Sequence, residues 1–415
     1  MKALAYLLLL VTAPAMAQDL GNSEKTRVID AISQQLKTLY VYPEVAEKMS
    51  KQLHTNAEKG QYAQIKDPNA FAERLTTDLL AVSHDKHLSV NYDPRPVEPH
   101  PVMAFDQELA RSRNFGFKEL KILDGNIGYL NLSYFEDPAK AGGMAATAMN
   151  FLSNADAIII DLRNNGGGST DMVQLLASYF FEGEPKPLTD IYWRPTNSLV
   201  QYRTLPYVPG KRMPAVDVYL LTSQRTFSAA EDFSYSLQNL KRVTIIGETT
   251  GGGAHPIDQA VVSDHFIVTI PEGRSISTIT KTDWEGTGVT PDIAVAAKDA
   301  LLTAQVKALS KAPEGDYQAK WALMGIKAKL SPVTPSADNL KEYTGSYGER
   351  MISVEDGQLY YAKAGGPKSR LIPMDKDLFA MEDKEYLRIR FDRKNGVVTG
   401  FTRLFEDGTA EVSLK

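Results

Sequence analysis

The 415-residue sequence contains no cysteine. Disulfides, thiol nucleophiles, thiolate metal sites and lipid attachment through an N-terminal cysteine are excluded together. Histidine is scarce, at six residues, so imidazole chemistry has few places to come from. An excess of one charge is missing too. Forty-six basic residues face 51 acidic ones, a net −5, which gives no electrostatic case for nucleic acid or an anionic membrane. The apolar run at the start, Leu4 to Val11, is far below the roughly 18–20 residues that span a bilayer.

What is present is a globular composition: 43% hydrophobic and 23% charged residues, with 29 Gly and 22 Pro. That excludes disorder, collagen and coiled coil, and the length suggests two or three domains. Lys2, the Leu4–Val11 run and the small-x-small Ala15-Met16-Ala17 form a cleavable leader. The expectation is a secreted, periplasmic chain starting at Gln18, with no stable membrane anchor.

Five segments follow from the patterning. Residues 1–17 are the leader. Residues 18–95 read as an N-terminal helical domain, with Val28, Ile29, Ile32, Leu36 and Leu39, then Phe71, Leu75, Leu79 and Leu80, at helical spacing. A proline-rich stretch, Pro94 to Pro101, leads into a core over 96–311. There apolar strands (Ile127–Leu132, Ala157–Asp161, Val216–Thr222, Val243–Ile246) alternate with helices (Met144–Leu152, Thr170–Phe181, Ala229–Leu240). That order predicts a largely parallel sheet covered on both faces. Val261 to Ile270 alternates and predicts a hairpin at the sheet's periphery. Residues 312–334 are a helical linker. Residues 335–415, divided by Glu355-Asp-Gly, Lys394-Asn-Gly and Glu406-Asp-Gly, read as a small antiparallel β module.

Two strand–turn–helix junctions carry candidate chemistry, because parallel sheets place ligands at the carboxyl ends of strands. The first runs Ile158-Ile-Ile-Asp161-Leu-Arg-Asn-Asn165-Gly-Gly-Gly168. Its glycines allow a sharp turn with outward N–H groups, as an oxyanion site or a plain structural turn requires. The spacing of a phosphate loop fails, since no Gly-Lys-Ser/Thr follows. The second places Thr226-Phe-Ser228-Ala-Ala-Glu231 between a strand and a helix. Ser228 there is either a nucleophile or one half of a Ser-x-x-Glu capping box. Arg163 reads as an ion-pair partner of Asp161. His84 and His87 stand three apart but lack the third element of a metal site. His54, His100 and His265 read as surface or core residues.

Asp161-Leu-Arg-Asn-Asn-Gly-Gly-Gly followed by Thr-x-Ser-Ala-x-Glu resembles the carboxyl-terminal processing (tail-specific) serine peptidases. That family includes the tricorn core protease and the modules of interphotoreceptor retinoid-binding protein. Glu285-Gly-Thr-Gly-Val-Thr-Pro-Asp292 and Asp85-Lys-His87-Leu resemble two further elements of it. The resemblance implies an α/β fold with a crotonase-like (ClpP/crotonase) core, and peptide-bond hydrolysis through an acyl-enzyme. It makes Ser228 the nucleophile, and Ala229 with Gly167 or Gly168 the oxyanion hole. Gly252 stands where the tail-specific branch carries its lysine, so the resemblance shifts to the tricorn and retinoid-binding branch, with His87 as base and Glu285 as its carboxylate. His255, after the glycine loop, is a second candidate base. Val90 to Ile122 is too short to hold a PDZ domain. Peptide or protein substrates are expected, with no cofactor, metal or nucleic acid. A carrier of hydrophobic ligands and a small-substrate esterase or amidase are the alternatives. An ordinary histidine base predicts an acid limb of activity at pH ~6–7.

Overall fold

The computed structural model describes residues 20–97 and 107–415; the leader 1–17 and the end of the proline-rich stretch lie outside them. Two compact units divide the described chain. The first draws on 20–97, 191–200 and 255–275, and the second on 107–190, 201–254 and 276–415.

In the first unit, helices Asn22–Leu39, Pro43–Glu58 and Pro68–Ser83 follow the expected periodicity. Pro43 and Pro68 sit at the first helical turn, where a missing N–H is no loss. Asp67 caps the third helix by accepting the Asn69 N–H at 3.0 Å. Ile29, Ile32 and Leu36 meet Phe71, Leu75 and Leu79 in one core with Phe266, Val268 and Ile270. The hairpin Ile257–Ser263/Phe266–Pro271 therefore does not edge the main sheet as expected. It joins Ser89–Tyr92 in a separate three-stranded antiparallel sheet. Its alternation explains this: the single apolar face is covered by the helices, as a one-sided antiparallel sheet requires.

The second unit is built on six strands in the order Ile293–Ala294, Thr244–Gly247, Asp217–Thr222, Ala157–Asp161, Ile127–Leu132, Phe117–Leu123. All pairs are parallel except the last. The central strand Ala157–Asp161 is apolar through Ile160 because it serves two cores. Ile158 and Ile160 face the helices Pro138–Leu152, Thr170–Ser178 and Ala229–Asn239, while Ile159 faces Ala300–Leu309 and Tyr317–Leu330. Each buried isoleucine is worth ~1.5–3 kcal/mol. The first of these helices starts at Pro138 rather than Met144, capped by Asp137 accepting the Ala139 N–H at 2.7 Å.

Residues 345–414 form an eight-stranded antiparallel meander. Asp356-Gly357 and Asn395-Gly396 have φ above zero at both residues, the paired left-handed geometry that tight hairpins demand. Tyr347, Phe379, Phe391 and Phe401 fill its interior. The described residues form a mixed α/β protein with N-terminal helices and a C-terminal antiparallel module. Among the described residues, no helix is long and apolar enough to cross a membrane.

Candidate active site

The loops that leave strands Ala157–Asp161 and Asp217–Thr222 are tied side by side. Thr226 Oγ1 donates to Leu162 O at 2.8 Å, Ser223 Oγ to Arg163 O at 2.6 Å, and the Phe227 N–H to Asn165 O at 3.0 Å. Buried Asn165 anchors the glycine turn by donating to Leu132 O at 2.9 Å. Ser228 then enters the helix Ala229–Asn239 at φ +56°, ψ −123°. Glycine adopts this conformation freely; an L side chain is strained there by about 1–3 kcal/mol, and such strain concentrates at functional sites. Gly167 lies directly against this serine: a Cβ on it would come within 2.7 Å of Ser228 Cβ and 3.2 Å of Ala229 N.

The backbone donors around Ser228 differ from one another. The Gly167 N–H is taken by Asn165 Oδ1 at 2.9 Å. Phe135 donates to Gly167 O at 2.8 Å and accepts from the Ser169 N–H at 2.6 Å, forming a parallel bridge opposite Gly168. That bridge uses the groups flanking Gly168, so the Gly168 N–H turns away from Phe135. Ala229 is the first helical residue, and its N–H has no intrahelical acceptor. Among the described residues neither N–H donates a hydrogen bond.

Behind the serine, Glu231 is fully buried. One carboxylate oxygen accepts the Ser228 N–H at 2.9 Å and the Gly253 N–H at 2.8 Å; the other accepts the Gly252 N–H at 2.7 Å and the Thr250 hydroxyl. Burial pushes its carboxyl up, against the downward pull of these four bonds. The capping-box pattern thus understates this residue, which ties the serine turn to the 250–254 loop. That loop in turn holds Glu285, whose Oε2 accepts the Ala254 N–H at 2.6 Å. Gly252 has φ +81°, and a Cβ there would stand 3.1 Å from Gly286 C and Gly288 N. Lysine, like any residue with a side chain, would be strained at this position.

His87 belongs to the first unit. It follows the helix Pro68–Ser83, which ends in a left-handed His84 at φ +57°. Asp85 is buried: its Oδ1 accepts the His87 backbone N–H at 3.1 Å and lies 3.8 Å from His87 Nδ1. Its Oδ2 accepts from His255 Nδ1 at 2.6 Å and from the Tyr40 hydroxyl at 3.4 Å. Burial pushes the His87 imidazole down to about 4; Asp85 opposes that and His255 adds to it. The imidazole is therefore neutral over a wider pH range than an ordinary histidine. Asp85 and His255 escaped the sequence reading as a pair because 170 positions separate them. The Asp-x-His spacing was the available signal.

The remaining assignments are structural. Arg163 pairs with Asp161 at 2.5 Å and donates to Ala297 O at 2.6 Å. His54 bonds Asp30 and Ser50 O, and His265 bonds Asp93 O. His100 lies outside the described residues.

A hydroxyl presented at a strained strand-to-helix turn is one geometry that an acyl-transfer nucleophile can use. Residues 126–295 match peptidase family S41, and residues 22–114 match the N-terminal domain of that family in eukaryotic IRBP. The chain belongs to peptidase family S41 and is a serine-type peptidase acting on peptide or protein substrates. Similar solved structures include a lipoprotein from Streptococcus agalactiae (15% identity, 74% of this chain and 99% of that one, TM-score 0.49). Others are the photosystem II D1 C-terminal processing protease (15% identity, 66% and 94%, TM-score 0.43) and the tricorn protease (15% identity, 74% and 37%, TM-score 0.42). The assignment rests on the two family matches.

Proposed function

We propose that this peptidase cleaves through an acyl-enzyme on Ser228, with His87 as general base and Glu285 as the carboxylate that sets the imidazole tautomer. His87 takes the Ser228 hydroxyl proton as Oγ attacks the scissile carbonyl carbon. It returns that proton to the leaving amine, and water then hydrolyses the ester. The developing oxyanion is received by the N–H groups of Ala229 and Gly168, Gly167 serving to bring the turn against the serine. The observation that carries this reading is the strained backbone of Ser228 next to the Ala229 N–H, which has no acceptor among the described residues. The roles of His87 and Glu285 follow from their match to the family's motifs, and glycine at position 252, in a left-handed conformation, argues against a lysine base there. The leader-like 1–17 supports export to the periplasm.

The test is labelling by a fluorophosphonate probe, with hydrolysis of a casein-derived peptide run in parallel. Wild type should label and cleave, while Ser228→Ala, folded by circular dichroism, should do neither. A folded Ser228→Ala that labels normally removes Ser228 as the nucleophile.

A further inference from the structure

Asp85 and His255 have no part in the mechanism just given, although both are almost completely buried, at 2% and 3% exposure. The carboxylate divides its oxygens between two histidines. Oδ1 holds the His87 backbone N–H and faces His87 Nδ1 at 3.8 Å, while Oδ2 holds His255 Nδ1 at 2.6 Å. A carboxylate at that distance fixes the proton of His255 on Nδ1, leaving Nε2 as the acceptor facing the Tyr42 hydroxyl at 3.5 Å. The Tyr40 hydroxyl adds a second donor to Oδ2.

We infer that Asp85 and His255 are positioning residues for the base: Asp85 orients His87 and balances the charge it acquires, and His255 holds Asp85 in place. This rests on His87 being the base.

A buried carboxylate is normally retained only with a permanent cation or a full set of donors. Among the described residues, no lysine or arginine pairs with Asp85; its ionic partners are the two histidines. Its charge is thus incompletely balanced while His87 is neutral, and becomes balanced when His87 accepts the serine proton. An interaction stronger in the transition state than in the resting enzyme raises kcat rather than lowering KM. A merely structural Asp85 would lack that signature. Asp85 favours the protonated His87 imidazole, the direction this role requires. His255 is suited to its part because a neutral Nδ1–H anchors the carboxylate without cancelling its charge. Partners of a functional imidazole at metal sites typically command 10- to 100-fold effects, which sets the expected scale.

The experiment measures kcat and KM on one peptide substrate for the full chain and for Asp85→Asn, His255→Leu, His255→Asn and His87→Ala. Asp85→Asn is also made in the His87→Ala background, and folding is followed by circular dichroism. Asp85→Asn should lower kcat roughly 10- to 100-fold with KM within about twofold. His255→Leu should do likewise. His255→Asn, whose amide N–H replaces Nδ1, should recover most of the loss. In the His87→Ala background, Asp85→Asn should add nothing. If Asp85→Asn does not fold, the His255 pair carries the test, because it reaches the same carboxylate from its other oxygen. Wild-type kcat in folded Asp85→Asn or His255→Leu overturns the inference while the base assignment stands, provided His87→Ala is inactive. An active His87→Ala overturns the base assignment itself, and the inference with it.

Discussion

Replacing Glu231 by alanine separates two descriptions of the same residue. As one half of a capping box it would matter little, since caps contribute about 0.5–2 kcal/mol. In the folded protein its carboxylate accepts from Ser228, Thr250, Gly252 and Gly253 with no exposure to solvent. Alanine leaves four buried donors without a partner, each worth about 1–3 kcal/mol. Even the low end sums to about 4 kcal/mol, a large share of a typical 5–15 kcal/mol. Glu231→Gln keeps the shape, but its amide NH2 confronts two of the four donors, so roughly half that loss is expected. Urea denaturation at neutral pH gives both values from the midpoints and slopes. The Gln variant should also label more slowly with the fluorophosphonate probe, because the Ser228 turn and the loop holding Glu285 share this carboxylate. A loss below about 1 kcal/mol for Glu231→Ala would refute the reasoning and return the residue to a simple cap.

Three further outcomes are expected. Ser228→Gly should be as inactive as Ser228→Ala yet more stable than it, by up to about 1–3 kcal/mol, because only glycine relaxes at φ +56°; thermal melts of the two variants check this. Gly168→Ala should lower kcat by about 10²–10³-fold, since a Cβ there would stand 2.1 Å from Phe135 O, whereas Gly166→Ala meets nothing within 4 Å and should be near wild type. Equal kcat for the two would remove the Gly168 N–H from the reaction. Finally, kcat/KM should hold on acidification past pH 6.5 and fall nearer 4, because burial holds His87 at about 4. The folded value lies below the unfolded 6.5, so the linked stability is complete above pH 6.5. It is lost as pH falls toward 4, by about 3 kcal/mol at most. An acid limb at 6.5, or equal pH dependence of urea stability in wild type and His87→Asn, would contradict this.

Local patterning determined much of this protein. The apolar runs Ile127–Leu132 and Ala157–Asp161 are strands with the expected bounds, and the helical stretch expected within 312–334 is the helix Tyr317–Leu330, because periodicity and β-branched continuity are local signals. The paired left-handed turns at Asp356-Gly357 and Asn395-Gly396 are likewise local chemistry. Ser228 and the 166–168 glycines were legible for the same reason, being short motifs at strand ends. Tertiary structure alone decided the rest. The hairpin Ile257–Pro271 carries an apolar face that could have met either layer, and only three-dimensional packing assigns it to the N-terminal helices. Gly167 and Gly168 are neighbours in an identical motif, yet the Asn165 side chain and the Phe135 bridge engage one N–H and release the other. Glu231 matches a capping box letter for letter, but its fourfold role depends on a loop 19 to 22 residues away. Asp85 and His255 lie 170 residues apart, and no spacing rule connects them. Short-range periodicity and turn chemistry are written in neighbouring residues, whereas hydrogen-bond partners and proton affinities belong to buried neighbours that only the fold supplies.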